Sequence, residues 1–126
     1  MKEAINTTNA PAPIGPYNQA IKAGNTLYVS GQIPLDPESG ELVSGNIIHE
    51  TKQVMANVGA ILKEAGYDFS DIVKSTIFLT DMDSFVEVNA TYATYFTGVA
   101  PARETVAVKG LPKNVRIEIS VIAYKD

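Results

Sequence analysis

A chain of 126 residues with no cysteine, a single histidine and a formal net charge of −4 is long enough for one core, and we expect one domain spanning residues 1–126. The composition excludes disulfides, thiolate catalysis, cysteine-ligated zinc or iron–sulfur centres and any site built on several histidines. Lysine and arginine are not clustered, so the phosphate-neutralising stripe of a nucleic-acid binder is missing and no nucleic-acid partner is expected.

No apolar run approaches the roughly 18 residues of a membrane span, and the opening residues, Met1 to Asn6, lack the apolar core of a signal peptide. The expectation is a cytoplasmic protein with no membrane partner. Residues 7–16, Thr-Thr-Asn-Ala-Pro-Ala-Pro-Ile-Gly-Pro, read as an irregular arm, because each proline fixes φ and removes a backbone donor. The arm delivers Tyr17 into a predicted strand over 17–23, which turns at Gly24-Asn25 into a second strand over 27–31. Pro34 to Gly40 form a further turn region, followed by a short predicted strand over 41–43.

Apolar residues Ile47, Ile48, Val54, Met55, Val58, Ile61, Leu62 and Ala65 recur at the 3.6-residue period of a helix. Asn46 suits its N-cap and Gly66 its stop. Gly59 inside this helix costs about 1 kcal/mol against alanine, which points either to close packing against a neighbouring backbone or to tolerated drift. His49, in the first turn, reads as a solvated or capping residue.

A β-branched strand is predicted over 72–80, followed by a second helix over about 84–96. Its apolar stripe is Phe85, Val88, Tyr92 and Phe96, with Asn89 on or beside it. A buried amide there must be hydrogen-bonded, either to tie down a neighbouring loop or helix end or to meet a ligand. In the last strand Val115, Ile117, Ile119, Val121 and Ala123 face one way. Arg116, Glu118, Ser120, Ile122 and Tyr124 face the other.

Strand–helix–strand crossovers of one hand place both helices on one face of a mixed sheet, an α+β fold. The other face carries Ile122 and Tyr124 with no cover from within the chain. An open, half-apolar sheet face predicts a symmetric assembly that buries it.

Residues 101–118 carry the chemistry. Arg103, a fork suited to carboxylates, precedes an alternating strand, a Gly-Leu-Pro corner at 110–112 and the strand holding Glu118. A hairpin or tight crossover at that corner would bring Arg103 beside Glu118, an acid suited to proton transfer. The alternative is two strands with a solvated arginine and a solvated glutamate. No phosphate-binding glycine loop, dinucleotide fingerprint, nucleophile elbow or His-Glu zinc motif is present. Asp36, Glu38, Asp81 and Asp83 lie in turns or caps, where such residues belong for local reasons, so neither metal nor cofactor is expected.

Taken together, Ala12-Pro13-Ile14-Gly15-Pro16-Tyr17, Ser30-Gly31-Gln32-Ile33-Pro34, Asp71-Ile72-Val73-Lys74, Val88-Asn89-Ala90-Thr91-Tyr92, Pro101-Ala102-Arg103, Leu111-Pro112-Lys113 and Ile117-Glu118-Ile119 closely resemble the reactive-intermediate deaminase (RidA/YjgF) family. The resemblance runs over nearly the whole chain. It implies a chorismate-mutase-like subunit in a homotrimeric, barrel-like assembly with sites in the clefts between subunits. It also implies hydrolysis of 2-imino acids and their enamine tautomers (2-iminobutanoate, 2-iminopropanoate) to 2-oxo acids and ammonia.

By this resemblance Arg103 would hold the substrate carboxylate, Glu118 would orient a water and shuttle its proton, and Tyr17 would close over the site. Ser30 and Gly31 would line it through backbone groups, with Asn89 at its edge and Thr105 contributing main-chain contacts. Burial would raise the pKa of Glu118 and Arg103 would lower it, and both remain open at this level. The chain departs from the family in carrying Thr105 where relatives often have cysteine, which removes any thiol-based regulation. It also has a short Gly98-Val99-Ala100 segment ahead of Arg103. The competing reading is a non-catalytic module that senses small carboxylates such as 2-oxo acids.

Overall fold

Six strands and two helices follow one another as β1 (Lys2–Ile5), β2 (Ala20–Ala23), β3 (Thr26–Gln32), α1 (Ile47–Glu64), β4 (Ile72–Leu79), α2 (Phe85–Ala93), β5 (Ala102–Ala107) and β6 (Ile117–Tyr124). The computed structural model describes residues 1–126. The strands form one sheet in the order β1-β2-β3-β6-β4-β5, in which every neighbouring pair is antiparallel except β4 with β5.

The last strand in the chain takes a central place. The inner face of β6, Ile117, Ile119, Val121 and Ala123, is buried, and Glu118, Ser120 and Ile122 on its outer face are half-buried. A strand apolar on one side and half-covered on the other loses most at an edge, so it settles between β3 and β4. Both helices lie over the inner face. Val54, Met55, Val58, Ile61 and Leu62 of α1 and Val88 and Tyr92 of α2 join that row in one core. The α+β expectation with two helices on one face therefore holds.

Local signals explain the helix boundaries. Asn46 Oδ1 accepts from Ile48 N at 2.9 Å and His49 N at 3.2 Å, satisfying two amides at the start of α1. At its end Gly66 turns left-handed with φ of 83°, a conformation glycine adopts without a Cβ penalty. Gly59 does pack closely, but against a side chain rather than a backbone: a Cβ there would stand 3.0 Å from Phe69 Cζ. His49 is exposed.

Four expectations need correction. β1 was not anticipated; it pairs Lys2 with Ala23 through Ile5 with Ala20, a short edge strand with only Ile5 buried and hence too little alternation to read. β2 starts at Ala20 rather than Tyr17, because the backbone of Asn18 and Gln19 is bonded to side chains and to Ser30 instead of a ladder partner. The strand expected over 41–43 reduces to a single bridge between Leu35 and Leu42. Finally, the corner after β5 makes no hairpin with β6: β4 lies between them.

The outer face of the sheet is open. Tyr28 and Tyr124 are about half exposed, as are Val73 and Val106, and Tyr28 sits opposite Ile122 in the register. No helix is long and apolar enough to cross a membrane.

Candidate active site

The register separates the two residues that the sequence places in one site. Arg103 stands opposite Ser75 on β4 and Glu118 opposite Phe78. Ser75 is fully buried on the helix side with Ile77 and Leu79, whereas Phe78 belongs to the alternate set. Arg103 therefore faces the helices and Glu118 the open side. Within one chain they do not meet, because β4 intervenes and their registers differ by an odd number of residues. What the chain builds is two half-sites.

The first surrounds Arg103. Its Nη1 donates to Asn89 Oδ1 at 2.6 Å, and its guanidinium carbon lies 5.7 Å from the Phe85 ring centre and 5.3 Å from that of Tyr92. Aromatic faces attract a guanidinium and fix its plane. The Tyr92 hydroxyl is itself anchored, donating to Ser75 Oγ at 2.8 Å in the buried interior. Burial pushes the Tyr92 phenol up, against the opposing pull of the Ser75 bond and the Arg103 charge.

No carboxylate pairs with Arg103; the two ion pairs of the chain are Lys74–Glu104 and Arg116–Glu50. Strand alternation turns Glu104 to the other face, where it meets Lys74 at 3.3 Å and accepts from Thr76 Oγ1 at 3.0 Å. The arginine is thus oriented by an amide and two rings, while its remaining donors are left for an anion.

Asn89 ties down neither a loop nor a helix end; it holds Arg103. Thr105, two residues on, shares the helix side opposite Ile77, and its buried Oγ1 has no hydrogen-bond partner.

The second half-site surrounds Glu118. β3 and β6 slip register between Val29 and Gln32, a bulge that puts Ser30 and Gly31 where the ladder allows one residue. Gly31 accommodates the glutamate: a Cβ on it would lie 2.0 Å from Glu118 Oε2 and 2.7 Å from Cδ. No hydrogen bond or cation of the chain engages this carboxylate, and burial pushes it above the usual carboxylate range. Within a single chain burial wins, since Arg103 is on the other side of the sheet.

Ser30 is bonded to the arm twice, its N donating to Gln19 O at 2.9 Å and its Oγ to Asn18 O at 2.7 Å. Next to them Tyr17 is half exposed and folds back, its hydroxyl accepting from Ile14 N at 3.3 Å. Ser30, Gly31 and Glu118 thus form one group, with Tyr17 joined to it along the chain through Asn18 and Gln19, and Arg103, Asn89 and Thr105 share the other face.

Three participants escape sequence reasoning. Phe85 and Tyr92 read as core stripe, though with Asn89 they sit at the i, i+4, i+7 spacing of one helix face. Gln19, buried among the arm carbonyls, has no sequence signal beyond its place after Tyr17. No group of three or more potential metal-ligating side chains occurs.

A sheet with two helices on one face, carrying an arginine with no carboxylate partner and a glutamate with no cationic one, defines the class: a small α+β subunit. Comparison with known proteins makes it specific. Residues 7–125 match the profile of the endoribonuclease L-PSP family, and the chain belongs to this family, the RidA/YjgF family. It is 56% identical over 126 residues to a RutC family protein of Pyrococcus horikoshii, covering 100% of both chains. It is 50% identical to the 2-iminobutanoate/2-iminopropanoate deaminase of Mus musculus over 99% of this chain and 93% of that one. Among solved structures, a putative endoribonuclease of Thermotoga maritima superposes with a TM-score of 0.97 at 52% identity, covering 100% and 99% of the two chains. Escherichia coli TdcF with bound serine superposes with a TM-score of 0.94 at 37% identity, covering 98% and 99%.

Proposed function

We propose that the protein hydrolyses 2-imino acids and their enamine tautomers, with 2-iminobutanoate and 2-iminopropanoate as substrates, to 2-oxo acids and ammonia. The observation that carries this reading is the complementary pair of half-sites: a rigidly held guanidinium without an anion and a half-buried carboxylate without a cation, on opposite faces of one sheet. A second copy seated on the open face brings one copy's Arg103 toward the next copy's Glu118. A homotrimer closes this arrangement into three equivalent seams. The mouse relative's name and the serine bound to TdcF support a small amino-acid-derived carboxylate as ligand.

In this reading the Arg103 donors not used by Asn89 grip the substrate carboxylate, which fixes the C=N carbon. Glu118 of the neighbouring copy, its pKa raised by burial, accepts a proton from a water as its oxygen attacks C2. Glu118 passes that proton to nitrogen; as the C–N bond breaks and ammonia leaves, the carbinolamine hydroxyl gives its own proton back to Glu118 and becomes the carbonyl, and Glu118 then releases it to solvent. Tyr17 covers the cleft, and Ser30 and Gly31 present backbone groups to it. An iminium carbon is electrophilic already, so fixing the substrate, placing a water and managing protons is sufficient chemistry for residues alone. The net negative charge and the absence of a basic stripe favour a small-molecule substrate over RNA.

A coupled threonine dehydratase assay tests this: wild type accelerates loss of the imine, and Arg103→Ala abolishes the effect with the assembly intact. Mixing Arg103→Ala with Glu118→Gln subunits restores both groups at about one quarter of the seams in randomly assembled trimers. A wild-type trimer giving no acceleration rejects the proposal. One observation favours the alternative of an oxo-acid binding module: Arg103 is fully arranged within a single chain, so carboxylate binding does not itself require Glu118. Saturable oxo-acid binding that survives Glu118→Gln, without turnover by wild type, would select it.

A further inference from the structure

We infer that Gln19 is a positioning residue that sets Tyr17 and Ser30 in place together; as a statement about activity this rests on the imine-hydrolase reading above. The arm between β1 and β2 has three prolines among residues 11–16 and no ladder of its own. Apart from Ala10, which is buried in the core, its fixing point is the side chain of Gln19. Gln19 is 1% exposed, and its Oε1 accepts from Thr7 N at 2.6 Å. Its Nε2 donates to the carbonyls of Thr7 at 3.0 Å, Ala10 at 3.2 Å and Pro11 at 2.8 Å. The amide has two protons for three carbonyls, so both side-chain donors of Gln19 are spent on the arm.

Two routes lead from this fixing point into the half-site. Along the chain, the clamped segment ends at Pro11 and runs on to Ile14 and Gly15, which seat Tyr17. Ile14 N donates to the Tyr17 hydroxyl, Tyr17 N donates to Gly15 O at 2.9 Å, and the ring passes over Gly15. Across the fold, the Gln19 carbonyl accepts from Ser30 N while Asn18 O accepts from Ser30 Oγ. Ser30 precedes Gly31, whose missing side chain is the space Glu118 occupies. Without the clamp, a proline arm held by its two ends and by Ala10 alone would sample several placements of Tyr17 and loosen the register of Ser30.

The test is a double-mutant cycle combined with amide exchange. Gln19→Met keeps the volume and removes all four side-chain bonds. Exchange at Thr7, Tyr17 and Ser30 should quicken at least about tenfold, while amides of β4 and β6 keep their protection. The kcat/KM for the imine should fall about a hundredfold, the cost of displacing a positioned group by about an ångström. In a Tyr17→Ala background the same change should cost clearly less, because there is no longer a ring to misplace and only the Ser30 route remains.

Equal losses in both backgrounds, or unchanged exchange at Tyr17 and Ser30, would overturn the inference. If Gln19→Met fails to fold, Gln19→Glu serves: it keeps the shape and the acceptor for Thr7 but turns an oxygen toward three carbonyls, and the same two readouts apply. Should wild type turn over no imine, the functional reading falls while the exchange experiment still decides whether Gln19 clamps the arm.

Discussion

Gly31→Ala displaces the Glu118 carboxylate without replacing the residue. A Cβ at position 31 would lie 2.0 Å from Glu118 Oε2, 2.7 Å from Cδ and 3.0 Å from Cγ. Ordinary contact begins at 3.4 Å, so the carboxylate oxygen must retreat by about 1.4 Å, and the end of a flexible side chain does this by rotating rather than by moving the strand. Gly31 is not among the glycines with positive φ, so alanine brings no backbone strain and narrows the unfolded ensemble, worth about 0.4–1 kcal/mol in favour of folding. Net stability should change by less than about 1 kcal/mol. A catalytic group displaced by more than an ångström loses about 10²-fold, equivalent to about 2.7 kcal/mol of transition-state stabilisation. The coupled dehydratase assay should show that fall in kcat, while 2-oxobutanoate affinity, which the proposed function assigns to Arg103, should change little. A folded Gly31→Ala protein with full kcat would refute the placement of Glu118 in the chemistry.

Further outcomes follow from the same geometry. In one chain nothing cationic offsets the burial of Glu118; if Arg103 of a neighbouring copy approaches it, Arg103→Ala should move its titration higher, read by carbon NMR of the carboxyl. An unmoved titration means that the two groups never meet. In that Arg103→Ala background the raised pKa favours the fold at acid pH, and this stabilisation is lost as pH rises through it. Glu118→Gln should therefore gain stability over its parent toward neutral pH, with no gain in acid, as measured by urea unfolding.

The Arg116–Glu50 pair is unequal, with the Glu50 side chain 4% exposed and that of Arg116 46%. Arg116→Ala strands a buried carboxylate and should cost about 3–5 kcal/mol. Glu50→Ala leaves a cation that water reaches and should cost clearly less by the same unfolding measurement; equal costs would contradict the burial argument. Tyr92→Phe leaves buried Ser75 Oγ without its donor at a cost of about 1–3 kcal/mol in stability. The ring over Arg103 stays, so the KM should change less than about twofold.

Much of the architecture is legible in local pattern. The 3.6-residue period of 47–65, the Asn46 cap and the Gly66 stop mark α1 because a helix closes its hydrogen bonds within itself. Strict alternation over 117–124 identifies both faces of β6, and the uncovered aromatic side follows from counting helices. β1 and the 41–43 segment are misjudged for one reason: a short edge segment draws its structure from a partner elsewhere in the chain, and its own residues carry little periodicity. Tyr17 looks like strand by composition, yet the tertiary bonds of Asn18 and Gln19 hold it in the arm.

The residues of the candidate site were readable one at a time, because a guanidinium after proline, a carboxylate in an alternating strand and a tyrosine after a proline arm are facts of local sequence. Their mutual placement was not. Whether Arg103 and Glu118 share a face depends on which strand lies between β5 and β6 and on the register of each against β4, and those are outcomes of long-range pairing. Sequence alone determined the chemical inventory and the two-layer fold, since both follow from side-chain type and period. Tertiary structure alone decided that the inventory is split across a sheet, because insertion of β6 between β3 and β4, driven by burial of its apolar face, turns one proposed constellation into two complementary halves.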